Sequence, residues 1–327
     1  MGLLIETLPH LALARPGLDR HAERRAEPHL LDRLLADPRT RVLEVHGDRV
    51  PVRWTDAPDQ AAAADGGSGG LPALDLRAPA AGDAESLVLY LGQDGDGTAY
   101  LAVARPAADG GDDAQAADGD ARLCGLRQVG ADLSDRDATI FATALALANW
   151  HGTHGHCPRC GAPTQPVQAG WLRRCDRDGS EHYPRTDVAV IMSVVDADDR
   201  LLLARGAGWG AGRFSVLAGF LEPGESLAAA VAREVHEEVG LQVHDVEYLG
   251  DQPWPFPNSL MVGFTARAQG SELRLQEAEI AEARWFSRDE YREIVAQGRV
   301  SPSTRLSISR RLIERWLGQD LDEVTPD

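Results

Sequence analysis

The chain has 327 residues, 43% of them hydrophobic and 26% charged, with a formal net charge of −18. That length allows two or three domains with cores of their own, and no apolar run approaches the ~20 residues of a membrane-spanning helix. The acidic balance argues against a broad nucleic-acid footprint, which needs clustered basic residues, but permits an anionic substrate approached through a divalent metal.

The opening stretch, MGLLIETLPHLALARPGLDR, lacks the basic region and small-residue cleavage site of a secretory signal, so a cytoplasmic location is expected. Strand-like runs follow in RVLEVHGDRVPVRW, SLVLYLG and AYLAVARP, the first turning at His46–Asp48. Two stretches rich in Ala, Gly and Asp, Asp59–Gly70 and Pro106–Ala121, read as flexible loops. Residues 1 to about 130 therefore form a β-rich domain with no chemical motif, suited to scaffolding or dimerisation. Ser134 N-caps a helix over DRDATIFATALALANWH, which completes a first domain at 1–150. A Cys-containing segment occupies 151–185.

From Asp187 the pattern reads strand (DVAVIMSVVD), strand (RLLLAR), strand (FSVLAGF) and helix (Ser226–Val239). Strands near 244–250, 259–268 and 283–287 come next, and the helices RDEYREIVAQ and TRLSISRRLIERWLG close a domain at 186–327. Helices mixed with strands in this way predict a layered α/β or α+β domain. No internal repeat is apparent.

Within that helix, REVHEEVGL crowds Glu234, Glu237 and Glu238 into five residues. At 100° per residue they share an arc of about 100°, overlapping the apolar stripe of Leu227, Val231 and Val235. Like charges at this spacing cost about 0.2–0.5 kcal/mol per pair in a bare helix. A hard cation removes that cost, because Mg²⁺ prefers oxygen ligands and bridges to phosphates. Glu225, in the preceding loop, is placed to pair with Arg233, and Gly219 and Gly224 permit backbone geometry that a side chain would obstruct.

Gly219, Glu225, Arg233-Glu234-Val235, Glu237-Glu238 and Gly240-Leu241 fix nine positions over 23 residues, and this pattern resembles the Nudix box in full. Ten residues later, DQPWPFPNS is similar to the SQPWPFPxS signature of the NADH pyrophosphatase subfamily, with Asp251 replacing the leading Ser. Its three prolines specify a stiff loop rather than a sheet interior, on which Trp254 and Phe256 act as packing wedge or substrate surface. The resemblance implies substrate contacts from Gln252, Trp254, Phe256 and Ser259, and a further metal carboxylate at Glu279. It also implies rings around adenine from Phe220 and from Tyr183, the latter contributed across a dimer.

Of the four Cys, Cys124 reads as a small buried hydrophobe, while Cys157 and Cys160 in CPRC precede Cys175. This resembles the zinc ribbon of the same subfamily, with Asp178 where the fourth Cys falls and His182 as an alternative ligand. Zn²⁺ held there is structural; the alternative is a ribbon packed without metal. The resemblance as a whole implies a small ribbon between an N-terminal β-rich domain and an α/β/α Nudix sandwich, in a homodimer.

The implied reaction is Mg²⁺- or Mn²⁺-dependent hydrolysis of the NADH or NAD pyrophosphate to NMN(H) and AMP. Glu234, Glu237, Glu238 and Glu279 hold the metals, and Glu237 or Glu238 serves as base. Removal of NAD caps from RNA, or a broader dinucleotide or ADP-ribose hydrolase, is the alternative enzyme. A nucleotide sensor would have lost a box glutamate, and an RNA-binding ribbon would interleave basic residues with aromatics, whereas GWLRRCDRDGSEHYPR is mixed in charge.

Overall fold

A computed structural model describes residues 8–9, 11–55, 70–107 and 121–324. The expected loops Asp59–Gly70 and Pro106–Ala121 fall almost wholly outside the described residues. Among those residues no helix is long and apolar enough to cross a membrane. The chain divides into two compact units.

One unit runs from Arg15 to Thr186 and includes Trp254–Asn258. Its larger sheet comprises β1 (Arg41–His46), β2 (Arg49–Thr55), β3 (Leu71–Leu74), β4 (Leu87–Gln93), β5 (Ala99–Arg105) and β6 (Arg122–Gly125). The expected turn after His46 is present, with His46 opposite Arg49 across Gly47 and Asp48. The strand order is β3-β2-β1-β5-β4, with β6 beside β2 and β1 parallel to β5. Helix α1 (Leu30–Ala36), which the pattern did not indicate, buries Leu30 and Leu34 against Val42, Tyr90 and Leu101. After the short α2 (Leu126–Val129), α3 (Asp135–Thr153) begins where expected, with Ser134 Oγ accepting from Asp137 N at 3.2 Å. The ribbon is the three-stranded sheet β7 (Thr164–Val167), β8 (Leu172–Cys175) and β9 (Glu181–His182).

The second unit comprises Asp187–Pro253 and the chain from Ser259 onward, joined by the N-terminal segment up to Ala14. Leu8 N donates to Leu249 O at 2.6 Å, and Leu8 and Leu11 enter this unit's core. Its strands are β10 (Asp187–Val195), β11 (Leu201–Gly206), β12 (Leu217–Phe220), β13 (Gln242–Trp254), β14 (Ser259–Gln269) and β15 (Ile280–Phe286). They lie in the order β13-β14-β10-β11-β15, with β12 beside β10 and β10 parallel to β14. Period-two alternation sends Val190, Met192 and Val194 toward α4 (Leu227–Val239). Ile191 and Val195 face the opposite way, toward α5 (Arg288–Ala296) and α6 (Ile308–Leu317). Both faces of the sheet are covered, which is the expected α/β/α sandwich.

Strand β13 continues through Asp251–Trp254, four residues into the proline-rich segment, so the loop is shorter than expected. Pro253 is tolerated there because β13 is an edge strand, where a missing N–H costs the ladder little. The chain also contains a topological repeat that its residues do not advertise. Order β3-β2-β1-β5-β4 in one unit mirrors β15-β11-β10-β14-β13 in the other, each with an antiparallel pair of its first two strands (β1–β2, β10–β11) and one parallel central pair.

Candidate active site

Helix α4 is fixed at both ends: Ser226 Oγ accepts from Ala229 N at 3.2 Å, and Gly240 takes the left-handed C-cap conformation at φ 74°. Its buried positions are Ala230, Val231, Glu234, Val235, Glu238 and Val239, so two carboxylates stand in the core-facing stripe itself. Glu237 lies at the stripe's edge, its side chain 55% exposed.

Arg233 organises the near side of the cluster. Its guanidinium donates to Glu225 at 2.6 and 3.2 Å, to Glu234 at 2.8 Å, to Glu237 at 3.0 Å and to the Phe220 carbonyl at 2.9 Å. The expected pair with Glu225 is formed, and Arg233 holds the Glu225 carboxyl below the usual carboxylate range. Glu225 also accepts from Glu222 N at 2.7 Å, closing the loop in which Gly224 sits at φ 93°.

Among the described residues the far side has no such cation. Glu238 is 7% exposed, and its Oε2 is buried without a hydrogen-bond partner. Burial, reinforced by Glu234, Glu279 and Glu237, pushes its carboxyl up to about 8. Burial also raises Glu234, against the pull of Arg233. Glu279 reaches the cluster from outside the helix because Gln276 N donates to Glu238 O, while Gln276 Oε1 accepts from Glu279 N, both at 3.0 Å. Gly219, Phe220, Glu234, Glu237, Glu238 and Glu279 line one cleft of about 690 Å³. Gln276 lines it too and carries no motif of its own; only the strand-to-strand geometry reveals it.

A divalent cation fits this donor set. An orphaned buried carboxylate oxygen among four acidic side chains needs a positive partner, and hard oxygen ligands suit Mg²⁺ and Mn²⁺.

The proline-rich segment is placed by its neighbours. Gln252, expected to touch substrate, is fully buried; its Nε2 donates to Leu306 O at 2.7 Å, while its Oε1 is buried without a hydrogen-bond partner among the described residues. Ser259 begins β14 opposite Asp187. Trp254 and Phe256 meet edge to face at 4.9 Å, with the Arg127 guanidinium 4.9 and 3.9 Å from their ring centres. Asn149 Nδ2 donates to the Pro255 and Pro257 carbonyls at 3.2 and 2.9 Å, a clamp from α3 that the sequence reading missed. Phe220 and Tyr183 are 60% and 65% exposed, ring faces available for stacking, and Tyr183 OH donates to Glu181 at 3.1 Å.

The ribbon carries two matched turns. Cys157 N donates to Ala162 O while Gly161 N donates to Cys157 O; Cys175 N donates to Ser180 O while Gly179 N donates to Cys175 O. Asp178 thus occupies in the second turn the place of Cys160 in the first. The three sulfurs and an Asp178 oxygen all lie within 4.8 Å of one another, a donor set and size that suit a tetrahedral zinc. His182 stands outside this group, its Nε2 3.1 Å from Ser180 Oγ. Cys124 is buried apart from it, as a small hydrophobe should be.

Residues 184–305 match the family described as NUDIX domain, and 153–183 match the NADH pyrophosphatase zinc ribbon domain. Residues 39–150 match the NADH pyrophosphatase-like rudimentary NUDIX domain, in keeping with the repeated sheet order. The chain is 45% identical over 227 residues to the "NAD-capped RNA hydrolase NudC" of Mycobacterium bovis, covering 67% of this chain and 70% of that one. It is 37% identical over 199 residues to the human "NAD-capped RNA hydrolase NUDT12", covering 57% and 43%. Among solved structures, a NUDIX hydrolase from Nitrosomonas europaea aligns at 22% identity and a TM-score of 0.39, over 50% of this chain and 94% of that one.

Proposed function

The chain belongs to the Nudix hydrolases, in the NADH pyrophosphatase-like branch, and from this we infer that it hydrolyses the pyrophosphate bond of NADH and NAD⁺ to NMN(H) and AMP. The observation that carries the reading is the buried, partnerless Glu238 oxygen amid Glu234, Glu237 and Glu279. These four would hold Mg²⁺ or Mn²⁺. A bound divalent ion supplies neutralisation of the pyrophosphate charge and a more acidic water.

The chain's own residues do the rest. Arg233 braces the box loop against α4 through Glu225 and fixes how Glu234 and Glu237 face the cleft. Glu237 or Glu238 accepts the proton of the attacking water. Phe220 and Tyr183 flank adenine, Tyr183 coming from the second chain of a homodimer. Trp254, Phe256 and Ser259 border the substrate. Structural Zn²⁺ is held by Cys157, Cys160, Cys175 and Asp178. A cytoplasmic location completes the proposal.

A second reading is favoured by the names of the relatives: the same bond in NAD-capped RNA. Incubation with NADH, NAD⁺ and NAD-capped RNA under Mg²⁺ or Mn²⁺, in ¹⁸O water, tests both. Label in NMN(H) or AMP identifies the attacked phosphorus, and kcat/KM ranks the substrates. Absence of cleavage of all three with either metal overturns the reading.

A further inference from the structure

Two large apolar side chains of the hydrolase unit are exposed among the described residues, Phe220 and Trp209. Phe220 lines the carboxylate cleft. Trp209 lies at 38% exposure in GAGWGAGR, the segment leading out of β11. A solitary surface indole is ordinary. What distinguishes Trp209 is how its loop is tied down.

Gly206 opposes Ile280 at the end of the β11–β15 ladder, and Ala207 N donates to the carbonyl of Glu279 at 2.8 Å. The loop thus starts from the residue that supplies the cleft's outlying carboxylate. At its other end Ser301 N donates to Gly212 O at 3.0 Å, and a side chain at Gly212 would close to 2.7 Å on Arg299 O. Between these anchors Trp209 N donates to Gly206 O at 3.0 Å, and the indole folds over Gly206, 3.4 Å from where a side chain would begin. Arg213 holds its guanidinium 4.7 Å from the indole centre. The result is a planar face on a doubly anchored loop, biased positive, beside the segment that carries Glu279.

A dinucleotide carries two flat heterocycles on one pyrophosphate. Phe220 offers a face to one of them. We propose that Trp209 and Arg213 form a second ring-binding subsite, which takes the nicotinamide-side heterocycle and favours the neutral dihydro ring over the cationic pyridinium. The inference rests on the dinucleotide reading above. Stacking on the indole supplies affinity, and repulsion between the guanidinium and a pyridinium supplies the preference.

Kinetics with NADH, NAD⁺ and ADP-ribose, which keeps the pyrophosphate but lacks the second heterocycle, test it on the full-length protein. Trp209→Ala should raise KM for NADH about tenfold, the scale of one lost stack, while Trp209→Phe retains most of the affinity. The inhibition constant of ADP-ribose against NADH should stay near wild type in both variants, as should the Mn²⁺ concentration for half activation. Arg213→Gln should lower the NADH:NAD⁺ ratio of kcat/KM by about threefold. A parallel weakening of NADH and ADP-ribose, or a shift in the metal requirement, would show that the loop merely supports Glu279. An unchanged NADH KM in Trp209→Ala also overturns the subsite. Failure of the dinucleotide reading looks different, since the wild-type protein would then cleave neither NADH nor NAD⁺.

Discussion

The carboxyl carbon of Glu234 lies 1.9 Å from the point where a side chain at Gly219 would place its first carbon. Glycine at the head of the box is therefore a space requirement of the acidic helix, not a turn requirement. Gly219→Ala must expel Glu234 from its position beside Arg233. We expect kcat to fall by ~10² or more, the scale of a displaced ligand to a catalytic metal. Circular dichroism should show the fold retained, because the clash falls on a side chain that can swing. Near-normal turnover would mean that Glu234 does not need this position.

Glu238 ties acidity to stability. In protein stripped of divalent ions with chelator, its carboxyl sits near 8, above the ordinary value of 4.5. Between those values the folded chain holds a proton that the unfolded chain releases, so stability falls as pH rises from about 4.5 to about 8. Glu238→Gln removes that loss. Chelated wild type and variant should unfold alike near pH 4, and the variant should be more stable at pH 9, by an amount on the order of a few kcal/mol at 1.36 per pKa unit. Equal pH dependence in urea melts of the two proteins would refute the buried-acid account. In the active enzyme the same substitution should cost kcat by ~10² or more.

Asp178 should set how firmly the ribbon keeps its zinc. Protein purified without chelator should contain close to one zinc per chain, and removing it should lower the melting temperature. Asp178→Cys restores a sulfur at the place matching Cys160 and should tighten zinc retention in a competition with a chromophoric chelator. Asp178→Ala should loosen it. Zinc content independent of residue 178 would assign the fourth ligand elsewhere.

What the residues disclosed in advance follows from where each constraint is written. The box is contiguous, so its spacing places Arg233, Glu234, Glu237 and Glu238 on one turn-and-a-half of helix, with Ser226 and Gly240 marking the ends. Which of those carboxylates lacks a cation was not legible, because Arg233 could have turned to any of them. Glu279 could be assigned only through the family resemblance, since its approach depends on backbone bonds from Gln276 to Glu238. Gln252 carried a substrate expectation from its motif, whereas its Nε2 donates to the Leu306 carbonyl, 54 residues away. Strand runs in the N-terminal unit were visible, but the parallel pairing of β1 with β5 joins segments more than fifty residues apart. Such pairing leaves no local periodicity to read, and so the repeat of sheet order stayed hidden.

Tyr183 offers the last test, because its ring and its hydroxyl have separable tasks. The ring is 65% exposed, and the hydroxyl is spent on Glu181, whose other oxygen accepts from Arg174 at 3.0 Å. That chain of contacts orients the ring without burying it. If the ring stacks on adenine, Tyr183→Ala should raise KM for NADH about tenfold, at ~1–3 kcal/mol per stacked base and 1.4 kcal/mol per decade. Tyr183→Phe keeps the face and loses only the tether, so its KM should rise far less, while kcat stays near wild type in both. A ring that only braced the ribbon would instead lower the melting temperature in Tyr183→Ala and leave KM unmoved. If two chains pair as proposed, mixed dimers of wild-type chains with chains carrying both Tyr183→Ala and Glu238→Gln decide which chain supplies the ring. The surviving Glu238 site then faces a missing Tyr183 only if the ring crosses the interface, and the raised KM should persist. A wild-type KM in the mixed dimer would place Tyr183 in its own chain's site and remove the shared-site part of the proposal.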